Sequence, residues 1–87
     1  MALSEDFEAA QARVKTLSRT PSSGELLELY SLYKQGMSGD VSGSRPGMLD
    51  IKGRAKYDAW AARRGMTKEL AMKEYVALVE KLVAKYA

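Results

Sequence analysis

The chain has 87 residues, 46% apolar and 29% charged, a balance that supports one packed domain with a modest core and argues against wholesale disorder. Its 14 Lys and Arg against 11 Asp and Glu leave a net charge of +3, which admits a polyanionic partner without the clustered excess of a dedicated nucleic-acid binder. Cysteine and histidine are both absent, which excludes disulfides, a thiolate nucleophile, sulfur-bound zinc, and the commonest general base and metal ligand.

The elements read as four helices, with no strand alternation. The first is expected to begin at Ser4 as N-cap, with Glu5 and Asp6 complementing the helix dipole. Phe7, Ala10, Val14 and Leu17 recur at spacings of three and four and form its apolar stripe, and Pro21 closes the segment. Ser22-Ser23-Gly24-Glu25 is a capping-box pattern that opens the second helix, which carries Leu26, Leu29 and Tyr33 along one side. Five of the seven glycines then fall between Gly36 and Gly53, together with Arg45-Pro46-Gly47, where a type II turn is expected. A loop this long in so small a domain points to function. A third helix is expected from about Asp50 or Ile51 to Arg64, ending at Gly65. Thr67 caps the fourth, whose Ala71, Tyr75, Leu78, Leu82 and Tyr86 keep the helical spacing. The expected fold is an all-α four-helix bundle with one long crossover loop between helices two and three. No apolar run approaches the roughly 20 residues of a membrane span, and the N-terminus shows no basic-then-apolar export pattern. The expected location is therefore intracellular, in the cytoplasm.

The chemistry concentrates in Tyr30, Tyr33 and Lys34, with Lys52 and Lys56 downstream. Residues three and four apart share a helix face, so phenol hydroxyls and ammonium groups gather on one side. Ammonium groups suit phosphate, phenol rings suit a flat base, and hydroxyls orient it, so the array fits a phosphorylated aromatic ligand. The plainer alternative is that the tyrosines are half-buried core residues with wet hydroxyls and the lysines are solubilising charges.

The order of residues adds a second line. Tyr30-Ser31-Leu32-Tyr33-Lys34-Gln35, Gly39-Asp40, Arg45-Pro46-Gly47-Met48-Leu49-Asp50, Lys52-Gly53 and Ala55-Lys56-Tyr57-Asp58-Ala59-Trp60 closely resemble the acyl-CoA-binding protein family. The resemblance runs essentially end to end, through Ala9-Ala10, Val14-Lys15 and Leu17 in the first helix and Ala71-Met72-Lys73 with Tyr75 in the last. It implies a single acyl-CoA-binding domain over residues 1–87, an up-down-down-up bundle that carries long-chain fatty acyl-CoA esters as a monomer. The adenosine 3′-phosphate would be held by tyrosine and lysine side chains and the acyl chain by an apolar groove. Carried over by position, the implied contacts are Lys15, Tyr30, Tyr33, Lys34, Lys52, Lys56 and Tyr75, with Leu26 and Leu29 serving core packing first and helping to line the apolar region. No cofactor, metal, catalytic residue, nucleic-acid partner or stable membrane insertion is expected. The chain departs from the family pattern at Tyr57, where tryptophan is usual, at Thr20 beside Arg19, where lysine often precedes the proline, and across Val41-Ser42-Gly43-Ser44.

Two other classes compete. Arg45 to Arg64 holds six basic residues against two acidic ones, enough to contact nucleic-acid phosphates, although the charges are spread around a helix and carry no nucleic-acid signature. A helical protein-interaction module is the other. An enzyme is the weakest reading, since Asp50 and Asp58 have no partner suggesting a site.

Overall fold

The computed structural model describes residues 2–86 and contains four helices, α1 (Leu3–Val14), α2 (Ser23–Ser38), α3 (Ile51–Ala61) and α4 (Lys68–Lys85). None of them is long and apolar enough to cross a membrane among the described residues. α4 is central and packs on both α1 and α2, while α3 packs on α2. Side chains that meet across each seam give the directions. Leu3 lies by Val76 and Leu17 by Tyr86, so α1 and α4 are parallel. Glu25 reaches Lys85 and Gln35 reaches Met66, so α2 opposes α4. Tyr30 meets Lys56 and Lys34 meets Trp60, so α3 runs with α2. The order is up-down-down-up, as expected.

The core joins Phe7 and Ala10 of α1, Leu29 and Leu32 of α2, and Tyr75, Val79 and Leu82 of α4. Gly36 permits close approach here, because a Cβ at that position would meet the Phe7 ring at 3.0 Å. α3 buries Trp60 alone.

The helix ends follow local chemistry, with some differences from the sequence expectations. Ser22 and Glu25 form the full capping box, and Thr67 caps α4 through the Leu70 amide. α1 starts earlier than expected. Its N-cap is Ala2, whose carbonyl accepts from the Asp6 amide at 3.1 Å, so Ser4 lies inside the first turn. It also stops earlier, because the Thr16 amide and hydroxyl both turn back onto the Arg13 carbonyl, leaving Leu17 beyond the helix but still packed on the core. α3 ends at Ala61, and residues 62–65 tighten through Arg63 N–H to Trp60 and Arg64 N–H to Ala61 before Gly65 turns at φ +91°. The expected type II turn at Pro46-Gly47 does not form, since Gly47 has no positive φ. The turn instead spans Gly47 to Asp50, closed by the Asp50 amide on the Gly47 carbonyl at 3.0 Å, which delivers Asp50 to cap α3 through Gly53 N–H.

Residues 39–50 connect α2 to α3 and lie along α3 in the opposite direction. Trp60 Nε1 donates to the Gly39 carbonyl, Tyr57 to Gly43, and Arg54 to Pro46, and Arg45 clasps Asp58 through two bonds of 2.9 and 2.7 Å. Asp40 accepts from Gly65 N–H and from Gln35, and these bonds, the Gly65 amide first, hold its carboxyl below its ordinary pKa.

At the far end, Glu25 ties α2 to the end of α4. It accepts from Lys85 at 2.8 Å, from the Tyr86 hydroxyl at 2.5 Å and from Ser22 N–H at 2.8 Å. These donors, Lys85 foremost, depress its pKa from 4.5 to about 2. A depressed carboxylate stabilises the fold above its unfolded pKa and loses that contribution as pH falls toward the folded value. Glu25→Gln is therefore expected to unfold at lower urea than the parent near neutral pH. The gap should narrow from pH 4.5 down to about 2. A gap that stays constant across paired urea titrations would refute the assignment.

Candidate functional site: a cationic groove between α2 and α3

α2 presents two faces. At about 100° per residue, Ser23, Leu26, Leu27, Tyr30 and Lys34 fall on one side, and Leu29, Leu32 and Gly36 fall on another. The second side meets the core. The first side faces α3, where Lys52, Ala55 and Lys56 share a face by the three-and-four rule. Ser23, Leu26, Leu27, Tyr30, Lys52, Ala55 and Lys56 together line a groove of about 450 Å³. Its floor is apolar, and its rim carries two ammonium groups and a phenol.

The cations here have no carboxylate partners. Among the described residues, ion pairs form only between Arg45 and Asp58 and between Lys85 and Glu25. Lys56 of the groove and Lys34 beside it turn to rings instead. Lys56 Nζ sits 5.5 Å from the Tyr30 ring, and Lys34 Nζ sits 4.8 Å from that of Trp60. A cation held against an aromatic face keeps its charge and its donor hydrogens available to an anion. Trp60 is in turn fixed by its bond to the Gly39 carbonyl at 2.8 Å, so the platform under Lys34 is rigid.

The seven expected contact residues separate into groups. Tyr30, Lys52 and Lys56 line the groove, and Lys34 stands on the same face of α2. Tyr33 lies about 60° around the helix from Tyr30. It joins Phe7 at 6.2 Å and Tyr75 at 6.5 Å between ring centres, with Phe7 and Tyr75 edge-to-face at 5.1 Å. Tyr75 is only 4% exposed, and burial, with Tyr33 adding to it, pushes its phenol above the ordinary pKa. Lys15 is the exposed C-cap residue of α1 and makes no hydrogen bond or ion pair with the other six among the described residues. Of the two leucines expected to line an apolar region, Leu26 does so while Leu29 is buried in the core. Leu27, Ala55 and the Trp60 platform were missed. The available signal was the 100° step that puts Leu26 and Leu27 on the same side of α2 as Tyr30, away from Leu29 and Leu32.

Fold and groove together define the class: a helical binding protein with an apolar cleft and a cationic rim. Its sequence relatives agree. The family described as "Acyl CoA binding protein" matches residues 4–79. Acyl-CoA-binding protein homolog 1 of Caenorhabditis elegans is 55% identical over 80 residues, covering 92% of this chain and 93% of that protein. The Acyl-CoA-binding protein homolog of Drosophila melanogaster is 49% identical over 85 residues, covering 98% and 99%. The crystal structure of Acyl-CoA-Binding Protein 2 from Oryza sativa superposes with a TM-score of 0.91 at 43% identity, covering 95% of this chain and 90% of that one. The chain belongs to the acyl-CoA-binding protein family and, with it, to non-catalytic carriers and not to enzymes.

Tyr75 tests whether its hydroxyl or its ring matters. The hydroxyl makes no internal hydrogen bond among the described residues, while the ring is core. Tyr75→Phe should leave the free energy of unfolding nearly unchanged, within about 0.5 kcal/mol. Tyr75→Ala should lose about 3–5 kcal/mol by emptying an aromatic core position. Equal losses in the two variants, measured by chemical denaturation, would show that the hydroxyl has a structural partner.

Proposed function

We propose that this protein binds long-chain fatty acyl-CoA esters one-to-one and carries them in the cytoplasm as a monomer, residues 1–87 acting as a single acyl-CoA-binding domain. The observation that carries the reading is the groove's division into an apolar floor, Leu26, Leu27 and Ala55, and a rim of lysines with no carboxylate partners, Lys52 and Lys56. An acyl-CoA has the complementary division. Its phosphates attract ammonium groups at the rim of a low-dielectric cleft, and each methylene of its tail withdrawn from water contributes about 0.8 kcal/mol. In this reading Tyr30, Lys34, Lys52 and Lys56 hold the phosphorylated nucleotide. Tyr33, Tyr75 and Lys15 complete the head-group contacts from the α1 and α4 side.

The nucleic-acid alternative loses ground on the same face. Of the six basic residues from Arg45 to Arg64, three are engaged within the protein: Arg45 by Asp58, Arg54 by the Pro46 carbonyl, and Arg63 by the Ser31 hydroxyl. Those left are too few and too tied to one groove for an extended phosphate backbone.

Calorimetry with palmitoyl-CoA and with palmitate is expected to show tight one-to-one binding of the first and poor binding of the second, because the lysines have nothing to hold in a ligand without phosphates. From hexanoyl- to stearoyl-CoA, affinity should rise by up to about fourfold per methylene and then level where the groove is filled. Equal affinity for palmitate and palmitoyl-CoA, or no dependence on length, would overturn the reading.

Mutation separates the two ends. Lys34→Ala should cost about 1.5–3 kcal/mol of binding and flatten its salt dependence, and Tyr30→Phe about 1 kcal/mol with the salt dependence kept. Both losses should be independent of acyl length. Lys34→Ala should also lower stability by about 0.5–1 kcal/mol through the lost contact with Trp60. Palmitoyl-CoA binding unchanged in Lys34→Ala would remove that residue from the site.

A further inference from the structure

The three most exposed large apolar side chains described in this protein sit within four residues of one another. Leu49 is 99% exposed, Met48 79% and Ile51 77%, against 43–53% for Leu26, Leu70 and Met37. They are not the product of a slack loop. The Met48-Leu49 tip is closed by the Asp50 amide on Gly47, Pro46 just before it is held by Arg54, and Asp50 caps α3 at the first turn after it. Folding thus fixes apolar side chains outward on a braced turn, at a standing cost in hydration. Directly after Ile51 comes exposed Lys52 on the groove rim, with Lys56 one turn on, and neither has a carboxylate partner among the described residues. The one carboxylate at the tip, Asp50, is occupied in capping.

We propose that the Met48-Leu49-Ile51 turn inserts into the interfacial layer of an anionic lipid bilayer, with the lysines at the start of α3 meeting the headgroups. Two features favour a bilayer over a protein surface. The apolar element is a convex tip of three side chains, far short of the ~800 Å² per partner that a stable protein interface buries. A bilayer also needs no matching concavity, and it rewards apolar side chains placed beside unpaired cations. The inference goes beyond the cargo reading and does not depend on it, since it concerns the ligand-free protein.

The test is flotation of the ligand-free protein with phosphatidylcholine vesicles, with and without phosphatidylserine. The parent should partition onto the anionic vesicles and only weakly onto the neutral ones. Met48→Ser/Leu49→Ser should lower that partition by more than about tenfold, a factor within what withdrawing one leucine from water supplies. Its thermal melt should match the parent, because both side chains are already in water. Leu49→Trp, with its own emission blue-shifted and quenched by brominated lipid, should place residue 49 within the acyl boundary. The proposal is overturned if the parent does not bind anionic vesicles or if the serine variant binds them equally. It is also overturned if sedimentation shows that the tip joins two copies of the chain, a dimer lost in the serine variant.

Discussion

Neighbouring helices that run the same way cannot be joined by a tight turn, because the chain must travel back the length of the first before it can start the second. α2 and α3 are such a pair, and the 16 residues of α2 span about 24 Å. Residues 39–50 make the return journey with no helix or sheet of their own to satisfy their backbone groups. The chain meets this by running the loop along α3 and bonding the two together: Trp60 to Gly39, Tyr57 to Gly43, Arg45 to Asp58, Arg54 to Pro46. The loop and α3 therefore behave as one layer laid against α2. Breaking the parallel pairing would remove the reason for the loop, its bracing and the groove.

That layer is held mostly by polar contacts, and the site owes its existence to this. α3 buries Trp60 and little else, so it cannot seal itself onto α2 as α1 and α4 seal onto each other through Phe7, Tyr75 and their neighbours. Where a bundle would normally place leucines, α3 places Lys52 and Lys56 opposite Leu26, Leu27 and Tyr30. Apolar residues at 52 and 56 would close the seam into dry core; lysines keep it open, since burying an unpaired ammonium costs more than the groove's apolar contacts return. A ligand with a phosphorylated head and an apolar tail satisfies both halves of the mismatch at once. The other side of α2 is held to α4 by the Glu25 network and by Tyr33 against Tyr75.

The parts of this arrangement visible in the sequence are those governed by near neighbours. The Ser22 capping box, the Thr67 cap, the α4 stripe and the long glycine-rich connection all rest on spacings of a few residues, and each appears in the structure. What could not be read depends on packing. Tyr30 and Tyr33 look equivalent by the three-and-four rule, yet the angle between them sends one to the groove and the other to Phe7 and Tyr75. Pro46-Gly47 has the composition of a type II turn, but Gly47 does not take the positive φ that turn needs, and the turn that forms is Gly47–Asp50, with Asp50 capping α3. Ser4 has the chemistry of an N-cap, but the helix begins two residues earlier, where the Ala2 carbonyl accepts from the Asp6 amide.

The departures from the family pattern at Tyr57 and at residues 41–44 look independent in the sequence, and the fold joins them. The Tyr57 hydroxyl donates to the Gly43 carbonyl at 3.2 Å, and Gly43 is at φ +83°, a conformation that favours glycine over any side-chain-bearing residue. An indole in place of the phenol would carry its one donor at a different distance and angle from the helix, so this carbonyl would need another partner or another loop path. Tyr57 lies about 100° around α3 from Lys56, turned to the loop and away from the groove. The substitution therefore bears on how the return loop is fastened to α3.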